Sequence, residues 1–253
     1  MGNWLERTAL LLGEEKIDRL KNAHVMIVGL GGIGSFAGEF IARSGVGTMT
    51  IIDGDVFDKT NKNRQLTALD STIDRNKAVV LAERIREINP DIQINIVEEF
   101  VLPERVWKLL EEYKPDYVMD CIDSVTPKIE WIKACLRLKI KIISHLGAGG
   151  KLDPSKVRVT KLEAANNCKL GRYIKKRLRR EGVNFKRVKA VFSEEVQIKE
   201  SLKMTNGLNY KRSFYGTISY MPGLFGLYGA AEVIKHISNK AEVKDTNIAF
   251  ENE

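Results

Sequence analysis

The stretch His24-Val25-Met26-Ile27-Val28-Gly29-Leu30-Gly31-Gly32-Ile33-Gly34-Ser35 decides the fold. Its first half is an apolar run suited to a strand buried on both faces of a parallel sheet. Its second half is a glycine-rich turn that opens a helix. Gly29, Gly31, Gly32 and Gly34 let backbone N–H groups approach an anion with no Cβ atoms in the way, at a helix N-terminus that favours negative charge. Asp53, nineteen residues beyond Gly34 at the end of the next strand, is placed to accept hydrogen bonds from ribose hydroxyls. A nicotinamide or flavin enzyme and an ATP enzyme satisfy this pattern equally well.

Working outward, β-branched runs alternate with helix-period stretches. Strands are expected at His24–Val28, Thr48–Asp53, Ile92–Glu98, Tyr117–Ile122 and Ile140–Leu146, and helices at Ile33–Ser44, Asp74–Asn89, Pro103–Tyr113 and Pro127–Leu138. This order predicts an α/β fold: a doubly wound, mostly parallel Rossmann-like sheet over residues 24–150. Beyond Leu146 the glycines at 147, 149 and 150, the Asp153-Pro154 turn and the period-two run Val157–Thr160 predict antiparallel or peripheral additions over 151–240. A last helix from Gly223 to about Ile237 carries Gly223, Gly226 and Gly229 at three-residue spacing, which would let it approach another element closely. With no internal repeat and no long linker, residues 1–253 read as a single domain.

A dehydrogenase has no evident use for the polar loop that follows, Asp53-Gly54-Asp55-Val56-Phe57-Asp58-Lys59-Thr60-Asn61-Lys62-Asn63-Arg64-Gln65. A triphosphate does. Arg64 suits bidentate contact with phosphate oxygens, Asn61 and Gln65 suit holding that arginine or its ligand, and Lys77 offers a point charge at an α-phosphate under attack. Asp123 closes the strand-end segment Asp120-Cys121-Ile122-Asp123, at the carboxyl edge where open α/β sheets bind ligands. There it is a candidate Mg²⁺ ligand.

GLGGIGS, DGDxxxxxNxNRQ, a lysine and DCID in this order resemble the ubiquitin-activating-like adenylating superfamily, which includes the sulfur-carrier adenylyltransferases. That resemblance, over at least Arg7 to Gly150, implies ATP-dependent adenylation of a carboxylate. It implies Gly29–Gly34 under the phosphates, Asp53 on the ribose with Asp55 beside it, Asn61, Arg64, Gln65 and Lys77 on the phosphate side, and Asp123 holding Mg²⁺. Arg7 resembles an arginine that family members supply across a homodimer interface. Within the superfamily, Ala42–Gly47, Asp120–Val125, Gly147–Gly150 with Asp153-Pro154, Ile174–Arg180 and Val191–Glu195 are most similar to the tRNA threonylcarbamoyladenosine dehydratases. The implied activity is adenylation and cyclisation of a modified adenosine in tRNA, with a sulfur-relay protein as a further partner to consider. The alternative is adenylation of a sulfur-carrier or ubiquitin-like protein.

Enzymes that pass an activated protein tail to a thiol need a nucleophilic cysteine, and many carry paired CxxC zinc ligands. Here three cysteines stand far apart, Cys121, Cys135 and Cys168. Cys121 and Cys135 read as core residues, and Cys168, beside Lys169, is the one candidate nucleophile. Asn209–Phe225, where some relatives carry a cysteine, has none. A cyclising reaction needs no protein thiol, because the attacking ureido group and the activated carboxylate share one side chain. His145 at a strand end is a candidate base, with a buried structural histidine as the competing reading.

With 41 basic and 33 acidic residues the chain carries a net charge of +8. Lys169–Lys189 holds ten Lys or Arg and one acid, a charge of +9, so everything else sums to −1. On a helix over Lys169–Glu181, Leu170, Tyr173, Ile174 and Leu178 form one stripe and Arg172, Lys175, Lys176, Arg179 and Arg180 face solvent. A one-sign cluster of this density suits a phosphate backbone, and a solvated helix face is the plainer reading. Tyr173 and Phe185 are the aromatic candidates for base stacking, although the stripe would bury Tyr173. The N-terminus carries neither a secretory nor a myristoylation signal. Ser213–Ala231, uncharged but broken by Pro222 and glycines, reads as a buried helix rather than a span. A reducing, cytoplasmic setting and no membrane are expected.

Overall fold

The computed structural model describes residues 4–205 and 213–239; residues 1–3, 206–212 and 240–253, including the outer bounds of the expected domain, lie outside the described residues. Seven strands form the main sheet: β1 (His24–Val28), β2 (Thr48–Ile52), β3 (Gln93–Val97), β4 (Tyr117–Asp120), β5 (Lys141–His145), β6 (Val157–Lys161) and β7 (Lys189–Ser193). Their order is β3-β2-β1-β4-β5-β7-β6. All neighbours are parallel except β6 on β7. The C-terminal part therefore extends the parallel sheet by β7 before its antiparallel edge. A separate ribbon pairs β8 (Leu202–Met204) with β9 (Ser213–Tyr215).

Among the described residues eight α-helices surround the sheet: α1 (Glu6–Leu12), α2 (Glu14–Lys21), α3 (Gly34–Arg43), α4 (Lys77–Ile88), α5 (Pro103–Tyr113), α6 (Val125–Arg137), α7 (Lys169–Arg180) and α8 (Tyr220–Ser238). Strand alternation sorts the core into two layers. Val25 and Ile27 pack with α2, α3, α4 and α8, whereas Met26 and Val28 pack with α5, α6 and α7. No helix among the described residues is long and apolar enough to cross a membrane.

Most expected boundaries fall within two residues of those found, and two helix starts differ by three for local reasons. α4 starts at Lys77 because Asp74 has φ +64° and Asn76 caps the helix, its Oδ1 accepting from Ala78 N at 2.8 Å and Val79 N at 3.3 Å. α8 starts at Tyr220, so Pro222 falls in the first turn, where its missing N–H has no bond to lose. The expected close approach of α8 is present. A Cβ at Gly226 would lie 2.5 Å from Ile33 O, and one at Gly229 would lie 2.0 Å from His145 Nε2. At Gly223 it would make ordinary contact with Phe36.

Candidate active site

The strand order reverses between β1 and β4, and that switch point is where the glycine loop and the Asp123 segment leave the sheet. Gly29 has φ +84°, and a Cβ there would lie 3.2 Å from the Cys121 backbone. A Cβ at Gly34 would sit 1.8 Å from Gly29 O, so the turn itself requires that glycine. Gly31 differs: its nearest neighbour would be Gln65 Nε2 at 3.6 Å, ordinary contact, so the fold alone does not demand glycine there. Among the described residues no protein acceptor takes the N–H of Gly31, Gly32 or Ile33, which leaves an anion cradle at the start of α3.

Asp53 shapes this cradle as well as facing it. Its carboxylate accepts from Leu30 N at 2.7 Å and from Asp55 N at 2.9 Å. Burial pushes the Asp53 carboxyl up, against the opposing charge of Lys77 and these two amides. Lys77 is buried, with its ammonium on the exposed Asp55 carboxylate and its N–H on Asp55 O at 3.0 Å. Glu39 of α3 accepts from Arg84 of α4 at 2.6 and 3.0 Å, fixing the helix that carries Lys77 against the helix that carries the cradle. Burial raises the Glu39 carboxyl, but the bonds from Arg84 and Arg43 outweigh it and hold the group below its usual range.

The arginine loop closes over the cradle. Ser35 Oγ donates to Gly31 O at 2.7 Å and accepts from Leu66 N at 3.2 Å, tying the two segments together. Arg64 Nη1 donates to Thr60 O at 3.0 Å and Asn63 Oδ1 at 2.9 Å. Burial lowers the Arg64 pKa and the Asp123 carboxylate opposes that shift, and the Arg64 side chain packs on the glycine turn, its Cγ 3.3 Å from where a Cβ at Gly32 would lie. Asn61 is buried, and its Oδ1 accepts from Asp58 N at 3.2 Å. Gln65 is buried with an unpartnered Oε1. Asp123 is exposed, three residues past the end of β4. Mg²⁺ takes one or two carboxylates and completes its shell with phosphate and water, so Asp123 fits that donor set. No group of three or more potential metal ligands occurs among the described residues.

Other expected residues lie elsewhere. Arg7 is exposed on α1, whose neighbour Leu5 packs on Gly45 beyond the C-terminal end of α3. With ten residues in α3, that is about 15 Å from the cradle at its other end, so Arg7 does not join the site of its own chain. Cys168, the candidate nucleophile, is buried and caps α7, its Sγ accepting from Gly171 N at 3.5 Å. Burial pushes the Cys121 and Cys135 thiols far up. His145 is buried, its pKa lowered to about 3 first by burial and then by Lys128, which rules it out as an accessible base. On α7, Tyr173 is exposed because the buried stripe runs through Gly171, Ile174 and Leu178 instead. Lys175 is half-buried with its ammonium on Glu163 O at 3.2 Å and Ala165 O, so it is spent on the fold rather than turned to solvent. Phe185 is buried beneath the Arg179 guanidinium at 5.8 Å and is closed to base stacking.

The model of the ThiF family matches residues 5–252. The chain belongs to the ThiF family. It is 33% identical over 245 residues to the tRNA threonylcarbamoyladenosine dehydratase of Bacillus subtilis, covering 94% of this chain and 96% of that one. It is 41% identical over 179 residues to the Escherichia coli enzyme of that name, covering 70% and 66% of the two chains. The crystal structure of the E. coli enzyme in complex with ATP superposes with a TM-score of 0.83 at 36% identity, covering 92% of this chain and 93% of that one.

In this ThiF-family chain the sequence reading passed over a buried polar cluster directly under the site. Lys128 Nζ donates to Asp120 Oδ2 at 2.6 Å and to Ser144 Oγ at 3.3 Å, and Ser144 Oγ donates to Asp120 Oδ2 at 2.8 Å. Burial pushes the Asp120 carboxyl up and Lys128 and Ser144 oppose it. The cluster clamps the ends of β4 and β5 and the first turn of α6, the elements that hold Asp123. A lysine next to Ile129 and Trp131 on an otherwise apolar helix face was the available signal. Asn63 was also missed: its Nδ2 donates to Thr217 O at 2.9 Å and joins the arginine loop to the segment before α8.

Proposed function

We propose that the chain is an ATP-dependent tRNA threonylcarbamoyladenosine dehydratase. One observation carries the reading: the Gly31–Gly34 turn offers unengaged N–H groups at the start of α3, Arg64 packs against Gly32, and the buried Lys77 opposes the charge of Asp53, while Cys135 and Cys168 are buried and Cys121 is half-buried beneath the turn. The named relatives support the same reading. The substrate carboxylate attacks the α-phosphorus of ATP and pyrophosphate leaves. The ureido group of the same side chain then displaces AMP and gives up a proton, closing the ring without a protein nucleophile. The cradle amides, Arg64 and Lys77 would carry the phosphate charge, Asp53 the ribose, and Asp55, Asn61 and Gln65 the loop around them. Mg²⁺ on Asp123 would neutralise phosphate charge.

Three further parts belong to this reading. The chain works as a homodimer in which Arg7 reaches the partner's cradle. The outer face of α7 holds the tRNA backbone. The setting is the cytoplasm, where tRNA and reduced cysteines are found together. The test is nucleoside mass spectrometry of threonylcarbamoyl-bearing tRNA incubated with the protein, ATP and Mg²⁺. Conversion to a product one water lighter, with AMP and pyrophosphate formed, is expected. Adenylation of a sulfur-carrier tail with no change in the tRNA nucleoside would overturn it.

A further inference from the structure

The β8–β9 ribbon is the one described element outside both core layers, and it is built onto the site. Ile198 N donates to Gly150 O at 2.8 Å, and Gly150 N donates to Gly216 O at 2.8 Å. Gln197 Nε2 donates to Gly149 O at 3.1 Å. Thr217, two residues past β9, accepts the bond from Asn63 beside Arg64. The register pairs Leu202 with Tyr215 and Lys203 with Phe214. Paired residues share a face, so the two faces differ. Tyr215 packs on the glycine turn, where a Cβ at Gly149 would lie 2.9 Å from its Cβ. The opposite face presents Lys203 and Phe214, both exposed.

A solvent-facing aromatic directly across from a lysine fits no need of the core. It matches the platform on which unpaired bases stack beside a phosphate-binding cation. The charge agrees: among the described residues of 196–219, Lys199 and Lys203 stand against Glu200, a net of +1. Resting on the tRNA reading above, we propose that the Lys203–Phe214 face binds the single-stranded RNA next to the nucleoside being modified, with one flanking base stacked on Phe214 and a phosphate on Lys203. The bonds through Thr217 and Gly150 then set how far that base stands from the arginine loop.

The experiment is filter binding of an RNA stem–loop with an unpaired loop to the wild type and to Phe214→Leu, Phe214→Trp and Lys203→Gln, at several salt concentrations. A second RNA has the same stem closed by a non-nucleotide linker. Phe214→Leu should weaken binding of the stem–loop by about tenfold, and Phe214→Trp should restore it. Lys203→Gln should lower the log–log salt slope by about 0.7, the value for a single-strand contact. The linker-closed stem should not distinguish the variants. Unchanged stem–loop affinity in both Phe214→Leu and Lys203→Gln, equal losses on the linker-closed stem, or a change in oligomeric mass on Phe214→Leu would each overturn the proposal. The dehydratase reading stands or falls separately, on whether the wild type forms the cyclised nucleoside.

Discussion

Under the proposed function Asp123 and Arg64 both act on the bound nucleotide, and Asp123 is exposed on a loop at the carboxyl edge of the sheet. Asp123→Asn should therefore leave the melting temperature unchanged and lower turnover by about 10²–10³, measured as AMP release. His145 makes a different prediction, on stability. Its folded pKa is about 3 against an ordinary 6.5, so below pH 6.5 the unfolded chain takes up a proton that the folded chain refuses. Stability contributed by the neutral histidine is complete above 6.5 and falls by about 1.4 kcal/mol per pH unit as pH drops toward the folded value. Denaturant midpoints from pH 7 to about 4.5 should thus fall more steeply in the wild type than in His145→Gln. Arg64, Lys77 and Asp123 could be proposed from the sequence because each sits at a fixed place in a local motif. Lys128 was not, since its partners Asp120 and Ser144 come from other strands and only folding brings them together.

At the scale of elements, local chemistry again decided what could be read. α5 starts where expected because Pro103 occupies its first position, and β1 matches because its apolar run ends at the glycine loop. α1 and α2 were not foreseen, as α1 buries only Ala9 and shows almost no apolar period. β7 begins at the last residue of the basic segment, and Ala190-Val191-Phe192 just beyond it is too short a run to announce a strand. α7 is amphipathic as expected, but Lys175 is tied to backbone carbonyls, so the test of RNA contact uses Arg172, Lys176, Arg179 and Arg180. Changing these four to Gln should flatten the log–log salt dependence of tRNA binding by up to about 0.9 per lost duplex contact. ATP affinity by calorimetry should not move. Binding with an unchanged slope would return α7 to the role of a solvated face.

At the scale of the whole molecule, Arg7 and the cradle lie at opposite ends of α3, so a catalytic Arg7 requires a second copy. Mixing and re-equilibrating Arg7→Ala with Asp123→Asn protein should then regain activity that neither has alone. Random pairing puts both lesions in one site of each mixed dimer and neither in the other, so about a quarter of wild-type turnover should return. No recovery would confine Arg7 to its own chain. The seat of α8 is open to a stability test. A methyl group at Gly229 would collide with His145 Nε2, so Gly229→Ala should cost about 3 kcal/mol in denaturant unfolding, much of it recovered in a His145→Ala background.

That seat also governs how the chain is made. α8 fills the layer over β5, β6 and β7 and beside α3 with Met221, Phe225, Ala230 and Val233, and it presses on Ile33 at the very turn that forms the cradle. During translation every strand of the main sheet leaves the ribosome before this helix does, so the nascent chain carries a complete nucleotide motif on a sheet with one apolar layer only partly covered, by α2, α3 and α4. The vulnerable interval for aggregation is thus the synthesis of the last stretch before α8, and a pause there would prolong it.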